Sequence, residues 1–398
     1  MIADLQELKT VGVADVWKAG RRAARLRRTP DGTALRYDDD YAGPALFFSL
    51  PVQPGDRVFP GGAVPPALAG LLPEGRRLTA LRRAVKTSPD DELTLLLAVG
   101  EDAVGNVQVV PEGHVPGAVT PALSVTSFAE ARFAELFAAE GVEVDRTGLP
   151  GVQDKVSAAM LSLPVARRSE RYLLKLSPPE YPLLVEDEAF CLRAARMAGI
   201  STPPTAVVSD ADGRSGLLVT RFDRTPDGPL AFEDTLQVLG RWPSDKYLLT
   251  SEQVCAALMR VCSASVVAGR ELLRRHVFAY LSGNGDAHAR NWGVLQDSDG
   301  EWRISPAFDL PSSLPYGDTT MATSLGGRRR EDITRAVFLS FGASLGLPER
   351  AVVKAVDQQC AAVEAWLPEL DELPFRRQVL DRWRRSVRYR QRMLSSPA

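Results

Sequence analysis

The ten residues GNGDAHARNW, 283–292, follow the apolar segment HVFAYLS (276–282) and crowd Asp286, His288, Arg290 and Asn291 into six positions. An apolar helix that ends in a cluster of polar groups is a rigid base for a catalytic loop. Phosphoryl transfer asks little covalent chemistry of a protein. Its sites are built of positioning groups: an acid that orients the nucleophile, metal ligands, and cations for the phosphates. In protein kinases the loop reads HRDxxxxN, an Asp followed five positions later by a metal-binding Asn. Asp286 and Asn291 have that separation. Such enzymes place a second metal-binding Asp after a strand. Asp309 in ISPAFDL (304–310), eighteen residues beyond Asn291 and preceded by Phe308, can take that part.

Upstream, YLLK (172–175) puts Lys175 at the end of an apolar strand, the pattern of the lysine that holds nucleotide phosphates. Glu188, on the following helix VEDEAFCLRAARMAGI (185–200), can pair with it. The loop TGLPGVQDK (147–155) has two glycines without GxGxxG, and GxxxxGK[ST] occurs nowhere, which excludes a Walker-type site. Taken singly, each residue has an ordinary structural reading. Asp286 and Asn291 could cap a turn, Lys175 and Glu188 could be solvated, Asp309 could cap the turn at Leu-Pro-Ser-Ser, and His288 could serve as a loop-fixing hydrogen bonder. Their order and spacing across five elements is that of a kinase.

The chain has 398 residues, 45% hydrophobic and 25% charged, so two or three domains with their own cores are expected. Its 48 basic and 50 acidic side chains leave a net charge of −2, which argues against general attraction to nucleic acid or anionic membrane. Cys191, Cys255, Cys262 and Cys360 fit neither a CxxC metal pair nor a disulfide framework, and are expected as buried free thiols of a reducing cytoplasm. The N-terminus carries early acids and no continuous apolar core. The longest apolar run, LTLLLAVG (93–100), is too short to span a bilayer. A cytoplasmic protein without membrane contact is expected.

Residues 11–60 are expected as short strands (VGVADVWKAG, ALRYDDDYA, ALFFSLPV), followed by helices through LLPEGRRLTALRRAV, a helix capped by Ser88 with Pro89 at its first position, and the strand GNVQVVPEG. The Pro/Gly-rich PEGHVPGAVTPALSV (111–125) is the expected domain boundary. Beyond it come a helix over 127–141, the glycine-bearing loop, the strand RYLLKLS, the helix with Glu188 and the strand SGLLVTRFDR. From about 250 onward the chain is expected to be helical, apart from strands near WGVLQD and EWRISPAFDL. Basic runs at RRAARLRR (21–28) and DRWRRSVRYRQR (381–392) are expected as solvated helix faces.

LLPEG, KTSPDDELTLLLAVGEDAVGNVQVVPEG, GVQDK, YLLK, EDEAF, RFDR, FEDTLQVLG with KY, NGDAHARNW and SPAFDL, taken in register, resemble the HipA family of serine/threonine kinases, toxins of type II toxin-antitoxin modules. The resemblance implies an α+β chain: a small N-terminal α+β domain (1–115), a kinase N-lobe (125–240) and a mostly helical C-lobe (241–398), with a protein-kinase/lipid-kinase-like core. It implies ATP and Mg2+ as cofactors. Asp286 and Arg290 would be catalytic, and Asn291 and Asp309 metal ligands. Gly151, Val152, Gln153, Lys155, Lys175, Glu188, Thr220, Arg221, Phe222 and His288 would lie around ATP, with backbone groups of 220–222 meeting adenine. Members often carry an autophosphorylated serine three residues before the loop glycine. Gly148 stands there in this chain, leaving Thr147 next to it, or Ser157 beyond, as the candidate. Partners implied are a small helix-turn-helix antitoxin (HipB-like), operator DNA through that complex, and a protein substrate such as an aminoacyl-tRNA synthetase. Two other readings stand beside this one: a non-catalytic kinase-like corepressor, and a small-molecule kinase, because Asp309 lacks the glycine of DFG.

Overall fold

The structure is a computed structural model and describes residues 5–117, 123–124, 128–135, 160–167 and 170–396. Strands β1 (Val13–Lys18), β2 (Arg21–Thr29), β3 (Gly32–Tyr37), β4 (Arg57–Pro60) and β5 (Val107–Pro111) form an antiparallel sheet in the order β4-β3-β2-β1-β5. Between β4 and β5 run α1 (Pro66–Ala69), α2 (Gly75–Val85) and α3 (Glu92–Val99). Alternation along the strands turns Val16, Leu26 and Leu35 inward, into one core with Leu68, Leu93 and Leu96 of α1 and α3.

Local expectations fail here in three places. The run RRAARLRR is β2, not a helix. Its exposed arginines pair with carboxylates, Arg22 with Asp38, Arg25 with Asp15 and Arg27 with Asp56. The cap of α3 is Asp91, whose side chain accepts from Thr94 N–H, while the Ser88 hydroxyl accepts from Asp90 N–H in the preceding turn. ALFFSLPV forms turns rather than a strand, because its polar groups are claimed by residues far along the chain: Phe48 N–H donates to Glu233 and Ser49 Oγ to Gln237 O.

A second five-stranded sheet has the order β6-β7-β8-β10-β9, from β6 (Leu123–Ser124), β7 (Leu161–Arg167), β8 (Glu170–Leu176), β9 (Thr205–Ser209) and β10 (Ser215–Thr220). Helix α4 (Leu184–Met197) links β8 to β9. After the small hairpin β11 (Arg224–Thr225) and β12 (Gly228–Pro229), strand β13 (Phe232–Asp234) pairs with β14 (Gly293–Gln296), which pairs with β15 (Trp302–Ile304). Residues 232–234, expected in the first lobe, thus pair with a strand from beyond residue 290. The cause is that Asp234 caps α5 (Thr235–Leu239) while Thr235 N–H donates to Trp292 O. Of the helix expected over 127–141, the described residues show a 3-10 turn at Phe128–Glu130 and helical residues at 133–135. Residues 136–159, which carry Thr147, Gly148, Gly151, Val152, Gln153, Lys155 and Ser157, lie outside the described residues.

The second lobe is built from α6 (Ser251–Val261), α7 (Ser265–Ser282), α8 (Arg335–Ser344), α9 (Glu349–Trp366) and α10 (Arg377–Ser395). Its core takes in Phe190 of α4, whose ring packs edge-on to Trp383 (centroids 5.5 Å apart) and Trp366 (6.1 Å). The helix carrying Glu188 is thus anchored to the helical lobe as well as to the sheet. All four cysteines are buried and free, and among the described residues no helix is long and apolar enough to cross a membrane.

Candidate active site

Helix α7 ends at Gly283, whose φ of +79° reverses the chain. A Cβ there would lie 2.3 Å from Leu314 Cδ1, and one at Gly285 would lie 2.7 Å from Ser313 Oγ, so both glycines let the loop pack against the segment 312–320. The loop then closes on itself. Asp286 N–H donates to Asn284 Oδ1, His288 N–H to Asp286 O, and Asn291 Nδ2 to Asp286 O at 2.8 Å. That last bond turns the amide oxygen of Asn291 into the atom left to ligate. Trp292, whose indole donates to Ala287 O, stacks on His276 at 4.0 Å and fixes the loop's far end.

Asp286 is buried, and Tyr247 OH donates to its Oδ1 at 2.7 Å. Burial and the neighbouring Asp286 raise the Tyr247 pKa, so the phenol stays a neutral donor. Across the cleft, β8 presents Lys175, whose Nζ lies 2.6 Å from Glu188 of α4 and 3.0 Å from Asp309. Burial opposes charge on Lys175, but the two carboxylates outweigh it and its pKa is raised. Burial pushes Glu188 up to about 7, while Lys175 overcomes burial at Asp309 and holds that carboxylate low. Asp309 adopts φ +58°, an uncommon left-handed conformation for a non-glycine residue, which turns its carboxylate toward Lys175. Asp187, beside Glu188 on α4, accepts from Ser312 N–H, so one helix orients the lysine and secures the chain just past Asp309.

A cavity of about 360 Å³ opens between the lobes, with Leu173, Leu192 and Val219 on its apolar side and Lys175, Glu188 and Asp309 at its polar end. Phe222, Phe232 and Phe308 cluster at 5.6–5.9 Å along its wall. A smaller recess bordered by Asn284, Asn291 and Asp309 shares Phe308 and Asp309 with it. The oxygen donors Asn291 and Asp309 fit magnesium, which takes few protein ligands and completes its shell with phosphate and water. Among the described residues no group of three or more His, Cys, Asp or Glu converges on a metal position.

Several sequence expectations change. Arg290 does not face the cleft as a free cation: its guanidinium reaches Glu74 (2.5 Å), Asp234 (3.0 Å) and Gly70 O. Arg221 borders the cavity but is likewise no free cation, pairing with Asp223 and with Asp102 of the first domain. Backbone N–H groups of Thr220 and Arg221 are already bonded to Pro204 O and Arg171 O, while all three of Thr220, Arg221 and Phe222 border the cavity. His288 packs edge-on to Tyr247 rather than bordering the cavity. Sequence reasoning missed Glu74, Asp234, Lys246 and Tyr247. The quoted fragments LLPEG, FED and KY held them, but without any assigned chemistry.

His276 is buried, and burial drives its pKa down to about 4. Between pH 6.5 and 4 the unfolded chain binds a proton there that the folded chain refuses, so stability is intact above about 6.5 and falls as pH drops. From pH 6.5 to 5 the expected loss is about 2 kcal/mol for this group. Glu188 and Glu233, both raised, push the other way, so the comparison is with a variant. Urea unfolding of His276→Phe, which keeps a ring against Trp292, should show a flatter fall between pH 7 and 5 than the parent. Equal slopes would refute the assignment.

A family model described as the HipA-like C-terminal domain matches residues 147–367, and one described as the HipA N-terminal domain matches 14–110. Y4dM and Y4mE of Sinorhizobium fredii, both provisionally named as kinases, are each 30% identical, over 93% and 92% of this chain and 95% and 94% of their own. The serine/threonine-protein kinase toxin HipA of Shewanella oneidensis is 24% identical over 86% of this chain and 87% of its own. A solved Shewanella oneidensis complex of HipA, HipB and operator DNA contains a chain of the same fold, with a TM-score of 0.79 at 19% identity over 96% of this chain and 97% of that one. With the C-terminal family model spanning more than half of the chain and relatives matching almost end to end, this protein belongs to the HipA family of kinases.

Proposed function

We propose that this protein is an ATP- and magnesium-dependent kinase that phosphorylates serine or threonine hydroxyls of a protein, as the toxin of a HipA/HipB-type pair. One arrangement carries the reading: the buried triad of Lys175, Glu188 and Asp309 faces a loop on which Tyr247 holds Asp286. Adenine takes the apolar end of the cavity, between Leu173, Val219 and the phenylalanine cluster, with the phosphates toward Lys175. Asn291 and Asp309 would hold magnesium, which when bound would neutralise phosphate charge. Asp286 receives the proton of the acceptor hydroxyl. The hydroxyl oxygen forms a bond to the γ-phosphorus as the bond to the bridging oxygen breaks, and that electron pair leaves on ADP.

Incubation of the purified protein with labelled ATP, magnesium and cell extract should label a discrete protein as phosphoserine or phosphothreonine, and a chelator should prevent it. Lys175→Met is expected to lower transfer by about 100-fold or more. Absence of nucleotide binding by calorimetry, in the free protein and in its complex, would favour a non-catalytic corepressor. Label confined to metabolites would favour a small-molecule kinase. A HipB-like helix-turn-helix antitoxin is the proposed partner, supported by the assembly named for the Shewanella structure. Operator contact would come through that complex, since many arginines of both basic runs are already ion-paired. A cytoplasmic location and an aminoacyl-tRNA synthetase target complete the reading. The target rests on family resemblance alone.

A further inference from the structure

Glu74, in the LLPEG segment of the first domain, lies behind Arg290 at the cavity wall and divides its carboxylate between two cations of the second lobe. Oε1 meets Arg290 and Oε2 meets Lys246 Nζ at 2.8 Å. Both cations overcome burial and hold its pKa down at about 2, so it is ionised throughout the physiological range. Arg290 has two further acceptors, Asp234 and Gly70 O, and Lys175 is shared by Glu188 and Asp309. Lys246 is held differently: the hydrogen bond described for it goes to Glu74 alone.

Its position is also different. Lys246 directly precedes Tyr247, the residue that donates to Asp286, and its Nζ lies 5.2 Å from that ring's centroid. If Lys246 departs, Glu74 keeps Arg290 as counter-ion, so release does not strand a buried carboxylate. Lysine, a point charge on a flexible stem, suits such a transfer better than a forked guanidinium.

We propose that Lys246 is the cation that meets the non-bridging oxygens of the transferred phosphoryl group, and that Glu74 holds it in reserve when nucleotide is absent. This rests on the kinase reading above. In the transfer step Lys246 forms and breaks no covalent bond. It offsets charge on the three γ-oxygens while Asp286 takes the hydroxyl proton and ADP leaves with the bridging electron pair. The first domain then controls the site through one carboxylate.

The test needs no acceptor protein. Calorimetry of the full chain with Mg-ADP and with Mg-ATP should show Lys246→Met weakening ATP by about 10- to 100-fold, the worth of a charge-assisted hydrogen bond, with ADP unchanged. Lys246→Arg, which keeps the charge, should restore most of the preference for ATP. Equal ATP and ADP affinities in Lys246→Met and the parent would overturn the proposal, and so would an equal loss of both, which marks a structural role. Failure of the parent to bind either nucleotide would instead overturn the kinase reading itself.

Discussion

Asp286→Asn is expected to cut phosphoryl transfer by about 10²- to 10⁴-fold, the usual worth of a positioned general base, while nucleotide affinity changes little. The substitution preserves shape. Tyr247 OH can donate to the amide oxygen as it does to Oδ1, and the loop's own bonds, Asp286 N–H to Asn284 and Asn291 Nδ2 to Asp286 O, involve the backbone of residue 286. What disappears is the ability to accept the hydroxyl proton. Single-turnover transfer of labelled phosphate, with calorimetric Mg-ATP affinity measured in parallel, separates chemistry from binding. Transfer at the parental rate would remove Asp286 from the mechanism. Loss of nucleotide binding would show that the residue organises the cleft instead.

Trp383→Ala should destabilise the helical lobe by about 3–5 kcal/mol, measured by urea unfolding. The side chain is wholly buried in α10, packing edge-on to Phe190 of α4 at 5.5 Å and to Phe375 at 6.1 Å. Among the described residues its indole nitrogen has no hydrogen-bond partner, so the cost is one of volume and contact rather than of a lost polar bond. Trp383→Phe should therefore recover more than half of the loss. Because Phe190 lies two residues beyond Glu188, the alanine variant should also loosen the lysine–glutamate pair, visible as weaker nucleotide binding. A loss below about 1 kcal/mol would mean that the neighbouring rings collapse into the space.

Much of the candidate site was legible because its signals are local. The glycine that ends α7, the five-residue interval from Asp286 to Asn291, the apolar strand before Lys175 and the helix bearing Glu188 all lie within short windows. What the sequence did not show is partners that lie far away in the chain. Arg290 borders the cavity but is bonded to Glu74, 216 residues earlier. Arg221 also borders it and meets Asp102, 119 residues earlier. The run at 45–52 has strand-forming residues, yet its polar groups are taken by Glu233 and Gln237.

By itself, then, the sequence determined a kinase of this family and marked the candidate loop, strand and second acid of its site. Hydrophobic periodicity, glycine conformational freedom and fixed spacing act over a few residues and can be read from them. Only the tertiary structure decided how the first domain enters the active site, with Glu74 between Arg290 and Lys246 and with Asp102 on the arginines after β10. Those ion pairs arise when separately folded surfaces dock. A charged side chain carries no mark of which distant opposite charge will compensate its burial.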